Sequence, residues 1–124
     1  MEEINKIEKF LISGSESLEN ILKLMEKGAE NFLLVVDGKK KLLGTISDSD
    51  IRQELISSGL NASSNAQKIM NPTPIFSTDK EKDKWNNYFI ENEIEHLPIC
   101  SEDKIVKKII RSIPEKNNFL KNVS

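Results

Sequence analysis

The feature that most constrains this chain is that it repeats itself. Sliding the second half back by about 63 positions lays Pro98, Ile99 and Cys100 on Val35, Val36 and Asp37, and Ile105 and Val106 on Leu42 and Leu43. A chain of 124 residues, 37% of them hydrophobic, is long enough for one good core and too short for two large independent ones. The two halves are therefore expected to share a core. An internal boundary near residue 62 divides the chain into repeats 1–62 and 63–124.

The order of elements supports the repeat. In "LENILKLMEKG", Leu18, Ile21, Leu22 and Met25 recur at helical spacing, and Gly28 is placed to end the helix. In "FLLVVDGKKKLLGTIS", two apolar runs flank Asp37-Gly38 and Lys39 to Lys41, the mark of a strand, a tight solvated turn and a second strand. A second helix follows from Asp48, with Ile51, Leu55 and Ile56 on one face and Gly59 as its stop. "NASSNAQKIMNPTPIF" reads as a connection with a helical turn at 66–70, before Pro72 and Pro74 forbid regular helix. The order then repeats: a helix carrying Trp85, Tyr88 and Phe89, a strand in "HLPIC", a turn at 101–103 and a strand in "KIVKKIIRS".

Charge and composition exclude several partners. The chain has 18 basic and 20 acidic residues, a net charge of −2, so no global field draws it to nucleic acid or to an anionic membrane. No apolar run approaches the length of a transmembrane helix, and the acidic N-terminus is unlike a signal peptide. One cysteine, Cys100, rules out a disulfide within the chain; a cytoplasmic location is the simplest expectation.

The chemistry concentrates in "LLGTISDSDIRQ", where a strand passes directly into a helix. Gly44, Ser47 and Asp50 form a G-x-x-S-x-x-D pattern across that junction. A helix N-terminus offers unpaired amides and a positive dipole end to a phosphate. The Ser47 hydroxyl can donate to the same group, and Gly44 lacks the side chain that would block close approach. Asp50 has two acceptor oxygens, a match for the paired hydroxyls of a ribose, and Arg52 adds charge against a longer phosphate chain. The same residues also suit a capped helix start, with Gly44 marking only a bend or bulge. Spacing alone leaves both readings open. Under the slide of about 63, Gly44, Ser47 and Asp50 fall on Lys107, Ile110 and Ile113, so the pattern has no second copy.

The unit ending in "LLGTISDSDIR", followed by one with "EHLPIC" in its first strand, resembles a tandem pair of cystathionine β-synthase (CBS) domains across residues 10–113. The resemblance implies a mixed α+β (or α/β) fold in which two helix-strand-strand-helix repeats pack through their sheets about a pseudo-twofold axis. It implies a non-catalytic regulatory module that binds AMP, ADP, ATP or S-adenosylmethionine between its repeats and forms homodimers. By the same resemblance Ser47 would meet phosphate and Asp50 ribose, with Gly44, Thr45, Asp48 and Arg52 completing the ligand-binding set. The missing second motif implies at most one competent site per chain, or a module reduced to a ligand-free dimerisation scaffold. The first half is also similar to the CBS segment preceding the catalytic domain of some bacterial sugar-phosphate nucleotidyltransferases.

Other residues invite chemistry less well. His96 and Cys100 in one strand stand about 13 Å apart, beyond the reach of a nucleophilic dyad, and lack the further ligands a structural zinc site needs. Asp48-Ser49-Asp50 begins like a calcium loop but lacks its glycine and distal glutamate. Trp85, Tyr88 and Phe89 at helical spacing suit a core or an interface better than a nucleic-acid stacking face. No catalytic set can be assembled.

Overall fold

The computed structural model describes residues 1–28, 30–58 and 64–113. Two three-stranded sheets carry the fold. In the first, β2 (Leu11–Ile12) runs parallel to β3 (Phe32–Val36), which pairs antiparallel with β4 (Leu42–Ser47). In the second, β5 (His96–Cys100) pairs antiparallel with β6 (Val106–Arg111), whose other edge is taken by β1 (Glu2–Ile4). The first residues of the chain therefore belong spatially to the second sheet, across the sequence boundary. The helices are α1 (Leu18–Gly28), α2 (Asp48–Ser58), α3 (Ala66–Ile69) and α4 (Trp85–Asn92).

Alternation along β3 explains why both its faces are apolar. Leu33 and Val35 meet Ile21 and Met25 of α1, Ile51 of α2 and Ile69 of α3, whereas Leu34 and Val36 join Leu42, Cys100, Val106 and Ile109 in the layer between the sheets. A strand covered on both sides needs a continuous hydrophobic run, which "FLLVV" supplies. The second half repeats the outer layer with Trp85 and Phe89 of α4 packed on Leu97, Ile99 and Ile110. The aromatic residues Trp85 and Phe89 are thus core, and Tyr88 packs beside them.

The hairpins meet tip to tip. Lys40 and Lys104 both adopt left-handed backbone (φ 66° and 68°), and each half reaches into the other: Leu42 N donates to Lys104 O at 2.9 Å and Val106 N to Lys40 O at 3.0 Å. Asp37 Oδ1 accepts from the amides of Lys39 and Lys41 at 2.8 and 2.9 Å, which closes the turn and leaves the three lysines exposed.

The register corrects the sequence alignment by one position. Phe32 pairs with Ser47 and His96 with Arg111, while Val36 pairs with Leu42 and Cys100 with Val106, so the halves superpose with an offset of 64. The counterparts of Gly44 and Ser47 are then Lys108 and Arg111, and that of Asp50 is Pro114, outside the described residues. A one-residue slip moves a strand's side chains to the opposite face, so this difference decides which residue of the second half points where Ser47 does. The face expected for α2 is also narrower than its periodicity indicates. Ile51 is buried, but Leu55 and Ile56 are 54% and 85% exposed, because α2 packs on β4 and α3 through its N-terminal part. Gly59 lies outside the described residues, as does the boundary near 62.

Candidate functional site

β4 ends at Ser47 and α2 begins at Asp48, with no loop between them. The junction is closed from one side: Asp50 Oδ2 accepts from the Ser47 amide at 2.8 Å and from the Ser47 hydroxyl at 2.9 Å, so the Ser47 hydroxyl acts here as a donor to Asp50. Ser47 Oγ also lies 2.9 Å from Ser49 Oγ. Both bonds to Asp50 fall on one carboxylate oxygen, so the cap and an outward-facing acceptor are compatible at this residue.

This helix start opens on a cleft of about 990 Å³ between the two halves. Of the residues singled out in the sequence, Thr45, Ser47, Asp48, Asp50 and Arg52 line it. Gly44 does not. A Cβ there would sit 2.5 Å from Met70 Sδ and 2.7 Å from the carbonyl oxygen of Asn71. The glycine makes room for the connecting segment, which is tied down by Thr45 N to Asn71 O at 3.2 Å and Asn71 N to Thr45 O at 2.8 Å. That segment brings Asn71 and Ile75 to the cleft wall. Gly44 therefore serves the site through the backbone that covers it, and the approach to a ligand assigned to it in the sequence is not what its geometry shows.

Sequence reasoning missed the other side of the cleft. Phe32 and His96, which hold matching positions in β3 and β5, stack with centroids 4.6 Å apart and planes 5° from parallel. His96 Nε2 is 2.8 Å from Glu30 Oε2; Glu30 also takes Arg111 Nη1, and Arg111 Nη2 binds Glu2 Oε2 at 2.5 Å. Burial pushes the Glu30 carboxyl up, but the bond from His96 and the charge of Arg111 outweigh it and hold the group below its ordinary value of 4.5. The slide of 63 lays Phe32 on Glu95 and so hides its match to His96, and Glu30 and Arg111 are 81 positions apart in the chain, so no sequence signal pointed to this cluster.

His96 and Cys100 do not form a pair. His96 is engaged at the cleft, while Cys100 lies in the inter-sheet core, where burial raises its thiol to about 11 despite the nearby Lys104 charge. Among the described residues no cluster of three or more His, Cys, Asp or Glu is placed to hold a metal ion, and no helix is long and apolar enough to cross a membrane.

Comparison with known proteins agrees with this architecture. Residues 3–57 match the model of the CBS domain. The chain is 32% identical over 81 residues to the meiotically up-regulated gene 70 protein of Schizosaccharomyces pombe, an alignment that spans 64% of the chain and 11% of that protein. It is 29% identical over 109 residues to inosine-5'-monophosphate dehydrogenase of Nitrosopumilus maritimus, spanning 88% of the chain and 22% of the enzyme. The chain thus corresponds to a small part of either relative. Among solved structures, CBSX2 in complex with AMP superposes with a TM-score of 0.71 at 21% identity, covering 97% of this chain and 91% of that one. AcuB of Vibrio cholerae gives 0.71 at 21% identity over 99% and 90%. The cytosolic domain of the Mg2+ channel MgtE in complex with ATP gives 0.69 at 18% identity over 98% and 47%.

Proposed function

Starting from the CBS-domain fold of this chain, we propose that it is a regulatory module that binds one adenine nucleotide in the cleft between its halves. The single observation that carries the reading is the loop-free passage from β4 into α2, which sets Ser47 and Asp50 at the wall of a cleft large enough for a nucleotide. The first-turn amides and the Ser47 hydroxyl take the phosphate, with the hydroxyl turning away from Asp50 to do so. Asp50 Oδ1 accepts from the ribose, while Oδ2 keeps the Ser47 amide. Arg52 meets a second or third phosphate, and Ile75, Ile94 and Pro98 supply an apolar wall for the base. The AMP and ATP bound in two similarly folded proteins support adenine, with ADP and S-adenosylmethionine in the same chemical range.

Occupancy would act by changing how the two halves pack, since the ligand touches both and shifts the equilibrium between arrangements that bind it unequally. The output is an attached or partner enzyme in the cytoplasm, and a sugar-phosphate nucleotidyltransferase is the first to try, given the resemblance of the first half to the segment preceding such catalytic domains. The module itself carries no catalytic role in this reading. Exposed Leu55 and Ile56 on α2 support a homodimer. A second reading, a ligand-free dimerisation scaffold, is favoured by one observation: Ser47 and Asp50 already bond to each other, which gives both a structural role at the helix start.

Isothermal titration with AMP, ADP, ATP and S-adenosylmethionine separates the two. Saturable binding of one ligand per chain that weakens at least tenfold in Asp50→Asn supports the sensor, because asparagine keeps one acceptor for the Ser47 amide and loses the second. Asp50→Ala should weaken binding further and cost about 0.5–2 kcal/mol of stability through the lost cap. A folded protein silent across the panel would leave the scaffold.

A further inference from the structure

The half of the cleft that faces β4 and α2 is organised around Arg111. By strand register, Arg111 at the end of β6 occupies the place that Ser47 occupies at the end of β4. The second half thus presents a guanidinium where the first presents a hydroxyl. A guanidinium is a fork that grips a phosphate through two nitrogens. Here each terminal nitrogen already holds a carboxylate, Nη1 that of Glu30 and Nη2 that of Glu2 at 2.5 Å, and the two carboxylates arrive from separate elements, the residue two before β3 and the edge strand β1. Two carboxylates meet one guanidinium, Glu30 sharing its other oxygen with His96, and Glu93 and Glu95 add negative charge on the same cleft, while Arg52 stands by the α2 side. An incoming anion meets repulsion there and must also displace well-formed ionic bonds.

On the premise that the cleft takes a nucleotide at Ser47 and Asp50, we propose that Arg111 is a latent anion-binding subsite. It is occupied by the chain's own Glu2 and Glu30, which act as internal substitutes for a phosphate and hold the cleft to one nucleotide per chain. The single-site stoichiometry then has a cause beyond the missing motif. Position 111 carries an anion-binding group, and the fold fills it.

The test reads Arg111 directly. In the 15N-labelled chain, the Arg111 side-chain Nε–H resonance, assigned through Arg111→Lys, is followed during titration with inorganic pyrophosphate, beside calorimetric titration with AMP. In the wild type the resonance should stay in place and AMP should bind once per chain. In Glu2→Gln/Glu30→Gln the resonance should move saturably, AMP should bind twice per chain, and both gains should vanish when Arg111→Gln is added. A wild-type resonance that already responds to pyrophosphate overturns the proposal, as does a folded double variant in which it does not. Should the double variant fail to fold, Glu2→Gln alone frees one nitrogen on an edge strand, and its silence is equally decisive. Wild-type protein that ignores AMP would overturn the nucleotide reading of the Ser47 side, and the pyrophosphate response at Arg111 would still decide this one.

Discussion

Single residues at the junction do two jobs whose separation is measurable. Gly44 is the sharpest case, because the atoms facing its missing Cβ include the backbone oxygen of Asn71 at 2.7 Å as well as the flexible Met70 side chain. Methionine can move aside; the Asn71 carbonyl, which accepts from the Thr45 amide while the Asn71 amide donates back to Thr45 O, cannot do so without loosening the strap. Gly44→Ala should therefore cost about 1–3 kcal/mol through overpacking, lower the Tm in a calorimetric melt, and weaken nucleotide binding only through displacement of Asn71 and Ile75. A variant with unchanged Tm would show the glycine to be incidental. The sequence displayed Gly44, Ser47 and Asp50 as one motif, and the structure divides it: two residues line the cleft and the third admits the segment that walls it.

At the scale of elements, the second half adds ion pairs to its apolar core. Asp79, at the start of the short 3-10 segment Asp79–Lys84, accepts from Lys107 at 2.8 Å and from Lys108 at 2.9 Å, and Lys108 reaches on to Glu3 of β1 at 2.9 Å. One lysine pair thus joins that segment, β6 and the N-terminal strand. The bonds from Lys107, then Lys108, lower the Asp79 carboxyl from 3.8 to about 2. A depressed folded value means that the stabilisation is complete above pH 3.8 and is lost as pH falls towards 2. The Tm difference between wild type and Asp79→Asn should accordingly be present at neutral pH, shrink across that acid window, and diminish in high salt because the site is open to solvent. A difference that persists unchanged at pH 2 would place the effect of the substitution elsewhere.

For the whole molecule, the arrangement of the halves makes the cleft a property of both. Phe32 and His96 meet in it from matching strands, Glu30 reaches from the first half to Arg111 in the second, and the hairpin tips exchange hydrogen bonds at Lys40 and Lys104. In the proposed homodimer, Leu55 and Ile56, which α2 leaves uncovered, form the surface on which the second copy closes. Leu55→Glu/Ile56→Glu should halve the mass measured by light scattering while leaving the melting profile of the monomer cooperative. Equal masses for variant and wild type would remove α2 from the dimer interface.

The sequence by itself determined the order of elements from α1 onward, the duplication and the position of the helix start, because each of these is written in local periodicity, turn chemistry and capping residues; the two short strands before α1 carry no such signal. "FLLVVDGKKKLLGTIS" could hardly be other than two strands about a turn, and Trp85 and Phe89 at helical spacing could be assigned to a core from their pattern alone. The tertiary structure decided the register, the partner of β1, the exposure of Leu55 and Ile56, and the ionic cluster of Glu2, Glu30, His96 and Arg111. Those depend on which distant surfaces meet. A single-position ambiguity between 63 and 64 is invisible to hydrophobic pattern when β6 offers apolar residues at 109 and 110 in succession, yet it exchanges Ile110 for Arg111 opposite Ser47. Hydrogen bonds across the sheets resolve it, since each backbone amide must find one partner and the ladder admits only one alignment.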